Sequence, residues 1–118
     1  MIRMYGYAKC GTCRNAKKLL AQWELPFEEI DITTDPPPKS LLKALLGEGG
    51  YSIGQLFNRS GQEYRKLGLK DRVKTMSQAE ALELLAGNGR LIKRPIVSDG
   101  TRMTVGLDAE RFEAVWGC

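Results

Sequence analysis

Two cysteines three residues apart, Cys10 and Cys13, are the side chains of this chain best suited to covalent chemistry. They follow a short apolar segment and open an amphipathic pattern, so we expect them at the start of a helix. The unpaired N–H groups and the positive dipole end of a helix N-terminus lower the pKa of a thiol, and the thiolate is the reactive form. Lys9, Arg14 and Lys17 add positive charge nearby. The pair is therefore a candidate redox or nucleophilic site.

The spacing of the two cysteines predicts their geometry. If Cys10 precedes the first turn, Cys13 lies about one turn later, and the two sulfur atoms can approach on one side of the helix. A reversible disulfide is then sterically possible. Two alternatives remain open, namely a pair of inert buried thiols or half of a C-x-x-C metal site.

The absence of histidine narrows the chemistry further. A closed zinc site takes four Cys or His ligands, whereas the chain has three cysteines and no histidine, so we expect no metal centre. Mechanisms of the Cys-His and Ser-His-Asp types are excluded as well. A nucleophile in this chain must instead be activated by the helix dipole, by cations or by desolvation.

Composition favours one small globular domain. The chain has 118 residues, of which 42% are hydrophobic and 27% are charged, and a formal net charge of +4. No apolar run approaches the ~20 residues of a membrane span, and the N-terminus lacks a secretory layout, so a cytoplasmic protein without membrane contact is expected. The modest basic charge permits small anionic ligands or an acidic partner. Cys118 is interpreted as an unpaired terminal thiol, with a resolving thiol as the alternative.

The elements that must position the cysteines begin with a β-α-β unit. Residues 2–5 alternate as a first strand would, and residues 27–32 alternate as a second. Between them apolar residues recur at helical spacing, and Pro26 ends that helix. Such strands should be parallel with a right-handed crossover. The apolar helix positions are Ala16, Leu19, Leu20 and Trp23.

A helical block follows. Pro38 suits the first turn of a helix, and short helices are predicted over 51–57 and 62–67. Gly68 suits a left-handed C-terminal cap, and Ser77 with Glu80 matches a capping box before a last helix. The helix that follows Pro38 has a leucine face, formed by Leu41, Leu42, Leu45 and Leu46. The predicted helices of this block end at turns over 47–50, 58–61 and 87–89.

The remainder predicts a β-β-α unit. Two β-like runs, 95–98 and 102–105, are joined by the strong hairpin signal Asp99-Gly100, and Asp108 caps a closing helix. The order is thus β-α-β, a helical block, then β-β-α. We predict an α/β fold in a single domain over residues 1–118.

Several stretches together resemble a known family. They are 5–16, which contains Cys10-Gly11-Thr12-Cys13, then 56–61 running into 64–69, then Lys93-Arg94-Pro95-Ile96, and 105–107. The chain resembles the ArsC/Spx family, thioredoxin-fold proteins with a helical insertion between the two halves, here about residues 38–89. The match covers essentially the whole chain.

The resemblance implies a cis proline at Pro95, beside the cysteines, and Arg94 directed at Cys10. A guanidinium there would lower the pKa of the thiol and could hold an oxyanion or carboxylate bidentately. The structural alternative for Arg94 is a surface charge at a sheet edge.

Arsenate reductases that use glutaredoxin resemble this chain around the first cysteine, and Cys10 would attack the oxyanion. The further arginines of that branch correspond to Asn58, with Arg59 adjacent, and to Val105, and that branch usually lacks Cys13. Fixed positive charge is the main stabilisation of a bound oxyanion, so weak arsenate binding is expected. The anion-binding residues that the resemblance implies are Gly11, Thr12, Arg14, Asn15 and Pro95.

The Spx branch carries the C-x-x-C motif and acts as a redox switch on the C-terminal domain of the RNA polymerase α-subunit. Residues 58–61 and 64–68 are more similar to reductase-like relatives than to those regulators. No basic helix of the DNA-reading kind is evident, so direct nucleic-acid binding is not expected.

The leading hypothesis is a cytoplasmic, monomeric thiol-disulfide oxidoreductase with Cys10 as nucleophile, Cys13 as resolving thiol and Arg94 as anion contact. It needs no bound cofactor, and the resemblance implies glutathione, glutaredoxin or thioredoxin as electron donor. The first alternative is an Spx-type redox-sensing regulator that binds the RNA polymerase α-subunit. The second is a thioredoxin-fold adaptor with incidental thiols.

Overall fold

The chain forms two compact units, and one of them contains a four-stranded mixed sheet together with Cys10 and Cys13. The structure, a computed structural model, describes residues 2–7, 10–59 and 61–117, without the side chain of Ala109. One unit comprises residues 1–31 and 94–118, and the other comprises residues 32–93. The expectations placed on Lys9 and Cys118 lie outside the described residues.

The first unit contains the β-α-β and β-β-α halves. Its elements are β1 (Ile2–Gly6), α1 (Gly11–Gln22), β2 (Phe27–Asp31), β3 (Ile96–Ser98), β4 (Met103–Val105) and α7 (Ala109–Trp116). The strand order is β2-β1-β3-β4, with β1 parallel to β2 and antiparallel to β3, and β3 antiparallel to β4. The predicted α/β class and the parallel first pair of strands are confirmed.

Apolar side chains from β1, α1, β3 and α7 form the core of this unit. Trp116 is almost fully buried, and its indole Nε1 donates to the Thr104 hydroxyl at 3.0 Å. This bond satisfies the polar atom of a large aromatic side chain, as burial requires. The buried members of the core are Ile2, Met4, Cys13, Ala16, Leu20, Val97, Phe112 and Trp116.

Two boundaries around α1 and α7 follow from local chemistry. Helix α1 ends at Gln22, earlier than the predicted stop at Pro26, because the chain turns through Glu24 at a φ of 57°. Asp108 caps α7 as predicted, since its carboxylate accepts a hydrogen bond from the Arg111 backbone N–H at 3.3 Å.

The second unit consists of short helices. They are α2 (Lys39–Leu46), α3 (Ile53–Leu56), α4 (Gln62–Lys66), α5 (Leu69–Arg72), α6 (Gln78–Gly87) and a 3₁₀ turn (Gly89–Leu91). The sequence did not predict α5. Gly68 has the expected left-handed φ of 62°, but it is also the N-cap of this additional helix. Among the residues described, no helix is long and apolar enough to cross a membrane.

The helix caps in this unit differ in part from the predictions. Pro38 is the N-cap of α2, one residue before the predicted first-turn position. Ser77 accepts from the Glu80 backbone N–H at 3.1 Å, but the Glu80 carboxylate pairs with Arg72 at 2.9 Å. A reciprocal capping box between Ser52 and Gln55 at the start of α3 was not predicted.

Gly89 lies close to the backbone of a neighbouring segment of this unit. A Cβ atom on Gly89 would lie 1.8 Å from the Ile32 carbonyl oxygen. Only glycine fits such a contact with backbone. This residue therefore holds the 3₁₀ turn against the segment that follows β2.

Candidate active site

Cys10 is the N-cap of α1, which confirms the predicted place of the motif at a helix start. Its backbone is extended, and its sulfur accepts a hydrogen bond from the Cys13 backbone N–H at 3.4 Å. Its own N–H donates to the Tyr7 carbonyl at 3.0 Å, and its carbonyl accepts from Arg14 N at 3.1 Å. The first turn of α1 contains no acidic side chain. The Cys10 sulfur thus faces the donor end of the helix.

Cys13 lies one turn into the helix and is completely buried in the core. The strand beneath it leaves little room, because a Cβ on Gly6 would lie 3.2 Å from the Cys13 sulfur. Both cysteines are free thiols. The two sulfur atoms therefore share one side of α1, Cys10 half-buried at its tip and Cys13 beneath it.

The environment lowers the pKa of Cys10. Partial burial raises it, but hydrogen bonds from the Cys13 side chain and backbone, the positive charge of Arg94 and a hydrogen bond from the Thr12 backbone together outweigh burial. Each of these four interactions favours the thiolate over the thiol. Cys10 is therefore the more acidic thiol of the pair.

The environment acts on Cys13 in the opposite direction. Burial, the hydrogen bond to the Cys10 side chain and the Cys10 charge raise the pKa of Cys13 from 9.0 to about 12. A backbone hydrogen bond from Tyr7 and the charge of Arg94 compensate only in part. At neutral pH Cys13 is a protonated donor to Cys10, so the two thiols differ in charge although only two residues separate them.

Arg94 and Pro95 lie immediately before β3. The Arg94–Pro95 peptide bond is cis, as the resemblance implied. Arg94 is half-buried, its guanidinium carbon lies 5.3 Å from the centre of the Tyr7 ring, and its charge acts on both thiols. The structure thus brings Arg94 together with Cys10 and Cys13, in place of the alternative of a remote surface charge.

The other predicted anion contacts lie on the outer surface of α1. Gly11, Thr12, Arg14 and Asn15 are all exposed. Thr12 reaches Cys10 through its backbone, and within the described part of the chain no hydrogen bond joins these side chains to a cysteine sulfur.

Fewer cations act on the cysteines than the sequence indicated. Lys17 forms an ion pair with Glu29 at 2.9 Å. Arg94 is the charged side chain that lowers the pKa of Cys10, whereas Val105 is buried in β4 and supplies no charge. Asn58, the other position that corresponds to an arginine of the arsenate reductases, belongs to the second unit.

No role was predicted for Tyr7, which contacts Cys10, Cys13 and Arg94. Its backbone bonds to both cysteines, and its ring lies under Arg94. An aromatic residue three positions before the first cysteine was a visible signal, but its partner Arg94 is distant in sequence. No group of three or more potential metal ligands occurs within 2–7, 10–59 and 61–117.

This arrangement can perform two-step thiol chemistry. A half-exposed thiolate at a helix N-terminus can attack an external sulfur, and a second thiol beside it can displace the product. The protonated state of Cys13 keeps it from competing for the first step.

Comparison with known proteins gives one family and a consistent set of relatives. The model of the ArsC family matches residues 5–115. The uncharacterised protein YusI of Bacillus subtilis is 47% identical over 115 residues, which is 98% of either chain. The global transcriptional regulator Spx of Streptococcus agalactiae is 29% identical over 97% of this chain and 82% of its own.

Solved structures share the fold. A crystal structure of a possible arsenate reductase from Streptococcus mutans superposes with a TM-score of 0.87 at 40% identity. The alignment covers 96% of this chain and 98% of that one. The fold similarity therefore extends through both halves and the helical block.

Proposed function

Since the chain belongs to the ArsC family, we propose that it is a thiol-disulfide oxidoreductase in which Cys10 attacks and Cys13 resolves. The observation that carries the proposal is the opposite shift of the two thiol pKa values, down at Cys10 and up to about 12 at Cys13. Perturbed thiols of this kind cluster at functional sites. Burial alone would raise the pKa of both thiols, so the lowered pKa of Cys10 reflects the donors and the Arg94 charge around it.

In the first step the Cys10 thiolate attacks one sulfur of a substrate disulfide. A new bond forms between Cys10 Sγ and that sulfur, and the second substrate sulfur leaves as a thiolate. Cys10 is the acidic and half-exposed partner, so it is the thiol that meets the substrate. Before the bond forms, the positive charge of Arg94 stabilises the negative charge of the Cys10 thiolate.

In the second step Cys13 attacks Cys10 Sγ and releases the bound substrate half as a thiol. Two of the three causes that raise the pKa of Cys13 are its hydrogen bond to Cys10 and the charge of Cys10. Both vanish once Cys10 is in a mixed disulfide, so the pKa of Cys13 falls when its thiolate is needed. The departing substrate thiolate takes the proton, since the chain contains no histidine to act as a base.

The cycle leaves a Cys10–Cys13 disulfide and two substrate thiols. Reduction of that disulfide takes two electrons, which glutathione or a dithiol protein such as glutaredoxin or thioredoxin would supply. No bound cofactor is needed. A reducing cytoplasm suits this cycle, and we propose that the protein acts there as a monomer.

A disulfide fits the site better than arsenate does. Of the predicted cationic contacts Arg94 acts on both thiols, whereas Arg14 is exposed on α1, and Val105 is buried and apolar. An oxyanion with a single fixed arginine lacks the convergent charge that stabilises its reduction. The similarity to the possible arsenate reductase from Streptococcus mutans keeps arsenate in the test.

Coupled turnover tests the proposal. The reduced protein is supplied with glutathione, glutathione reductase and NADPH together with a small disulfide, or with the same components, glutaredoxin and arsenate. We expect disulfide-dependent NADPH oxidation that Cys10→Ser abolishes and Cys118→Ser retains. Equal rates for the Cys10→Ser variant and the wild type would refute the proposal.

Trapping tests the division of roles. Cys13→Ser should accumulate a mixed disulfide at Cys10, visible as the mass of one substrate half on the peptide that contains it. Accumulation in Cys10→Ser instead would reverse the two assignments.

The Spx relatives favour a second candidate, a redox-controlled binding protein with the same two thiols as sensor. Its proposed partner is the C-terminal domain of the RNA polymerase α-subunit. A pull-down with that domain, using reduced and oxidised protein, distinguishes the two: redox-dependent capture without turnover supports the regulator, and turnover without capture supports the enzyme.

A further inference from the structure

Arg94 differs in its side-chain contacts from the arginines that form ion pairs in the described part of the chain. Arg3, Arg72 and Arg102 each lie within ion-pair distance of a carboxylate, at 3.7, 2.9 and 2.9 Å. Within the described residues no carboxylate oxygen approaches the Arg94 guanidinium to 4.0 Å, and its described side-chain contact is the ring of Tyr7. An aromatic face, not a carboxylate, therefore orients the cation of the site.

Tyr7 is itself firmly placed. It follows β1 directly, and its carbonyl accepts the Cys10 N–H at 3.0 Å. Its backbone also hydrogen bonds to the Cys13 thiol. Tyr7 thus joins both thiols through its backbone and the cation through its ring, and these backbone bonds do not depend on the identity of its side chain.

A carboxylate in place of this ring would have a different effect on the thiol. An acidic partner would cancel the positive charge of Arg94 and would add a negative charge beside Cys10. A cation within about 6 Å of a tyrosine face is attracted by the ring without being neutralised. The ring can therefore restrict a side chain of high conformational entropy while its full charge stays available to the sulfur.

We propose that Tyr7 is a positioning residue, whose ring holds the Arg94 guanidinium beside the Cys10 sulfur without neutralising it. This inference rests on the proposed role of Cys10 as the nucleophile. The Tyr7 side chain is 36% exposed, so its substitution removes a surface ring and leaves the core intact.

Alkylation of Cys10 tests the proposal without any turnover. The rate of modification by iodoacetamide is followed against pH by mass spectrometry of the Cys10 peptide, which separates this thiol from Cys118. Tyr7→Leu should lower the rate at pH 7 about twofold to fivefold, as loss of an exposed cation–π contact releases the guanidinium. Tyr7→Phe keeps the ring and should keep the rate. Tyr7→Gln provides a second non-aromatic variant.

A double-mutant comparison shows whether Tyr7 acts through Arg94. In an Arg94→Ala background, Tyr7→Leu should cause no further loss, because the cation that it orients is gone. An equal loss in both backgrounds, or an unchanged or faster rate in Tyr7→Leu alone, would overturn the proposal. Leu67→Gln, at a side chain of similar exposure, 40%, is the control and should leave the rate unchanged.

The outcome is separable from that of the proposed function. A double-mutant result as expected in a protein that turns over no substrate would leave the Tyr7 role intact and refute only the oxidoreductase. Turnover with a Cys10 rate insensitive to Tyr7 would do the reverse.

Discussion

The two compact units of the chain differ in charge. Residues 32–93 contain ten basic and six acidic side chains, whereas the unit formed by 1–31 and 94–118 contains eight of each. The whole net charge of +4 therefore belongs to the helical unit. The acidic thiol nevertheless lies in the neutral unit.

This difference teaches that net charge does not activate the cysteine. In the neutral unit a few oriented groups act on Cys10, namely donors from Cys13 and Thr12 and the single cation of Arg94. Interactions at contact distance outweigh many exposed charges that solvent screens. None of the ten basic side chains of the helical unit is among the groups that lower the pKa of Cys10.

The units also differ in what holds them together. The helical unit is built from helices of four to ten residues, which are too short to be stable alone and depend on caps and close packing. We expect Gly89→Ala to cost about 3 kcal/mol or more in free energy of unfolding, because its Cβ would meet the Ile32 carbonyl oxygen at 1.8 Å.

Chemical denaturation measures this effect, with a matched control two residues away. Gly87, the last residue of α6, has no atom within 4 Å of a Cβ, so Gly87→Ala should be neutral or stabilising by up to about 1 kcal/mol. Similar midpoints for the two variants would contradict the close approach at Gly89.

The second prediction concerns alkaline stability and belongs to the thiol unit. Cys13 has a folded-state pKa of about 12 against 9.0 for an ordinary thiol, so between these values the folded state binds more protons than the unfolded state. Its contribution is fully present below pH 9 and is lost as the pH rises towards 12, at about 1.4 kcal/mol per pH unit. Denaturation curves at pH 8, 9, 10 and 10.5 should show this decline in the wild type.

Cys13→Ala is the control for that decline. It lowers stability at every pH, since a buried side chain is shortened, but its loss above pH 9 should be shallower than that of the wild type. Parallel curves for the two proteins would show that Cys13 ionises normally.

The third prediction isolates the single cation. Arg94→Ala should raise the pKa of Cys10 and lower its alkylation rate at pH 7 about tenfold, since an opposite charge near a thiolate stabilises it. Arg94→Lys keeps a charge but loses the guanidinium that lies over the Tyr7 ring, so we expect an intermediate rate. A rate unchanged in Arg94→Ala would assign the lowered pKa to the hydrogen bonds alone.

The smallest expected effect completes the comparison. Replacement of three exposed cations of the helical unit, Arg65→Gln, Lys66→Gln and Lys70→Gln, should change the Cys10 alkylation rate less than about twofold. The variant carries a larger change in net charge than Arg94→Ala does. If it slowed alkylation as much, the contrast between local and net charge would fail.

The sequence predicted the parts of the fold that repeat a period or carry a turn signal. Alternation predicted β1 and β2, the Asp99-Gly100 hairpin signal predicted β3 and β4, and the apolar pattern on either side of the cysteine motif placed it at the start of α1. Helix α5 was missed because Gly68 was predicted only as the end of the preceding helix, whereas it is also the N-cap of the next one. Pro38 was misplaced by one residue because its fixed φ suits both positions.

Only the part of the site formed by residues that are neighbours in sequence could be predicted from local patterns. The order of Cys10 and Cys13 along a helix follows from spacing, and the cis bond at Pro95 followed from the resemblance. The complete burial of Cys13 and the cation–π contact of Arg94 with Tyr7 depend on segments that are distant in sequence. No local pattern encodes contacts of that kind.

The position of β2 at the edge of the sheet bears on self-assembly. An edge strand exposes unpaired backbone groups to which a second chain could add, and such pairing is a route to aggregation. Here β2 carries the exposed carboxylates Glu28, Glu29 and Asp31, of which Glu28 and Glu29 lie within ion-pair distance of Arg3 and Lys17 of the same chain. Two copies meeting edge to edge would bring these carboxylates together. Replacement of these residues by threonine would be expected to favour fibrous or oligomeric association, which makes this acidic strand a guard against polymerisation.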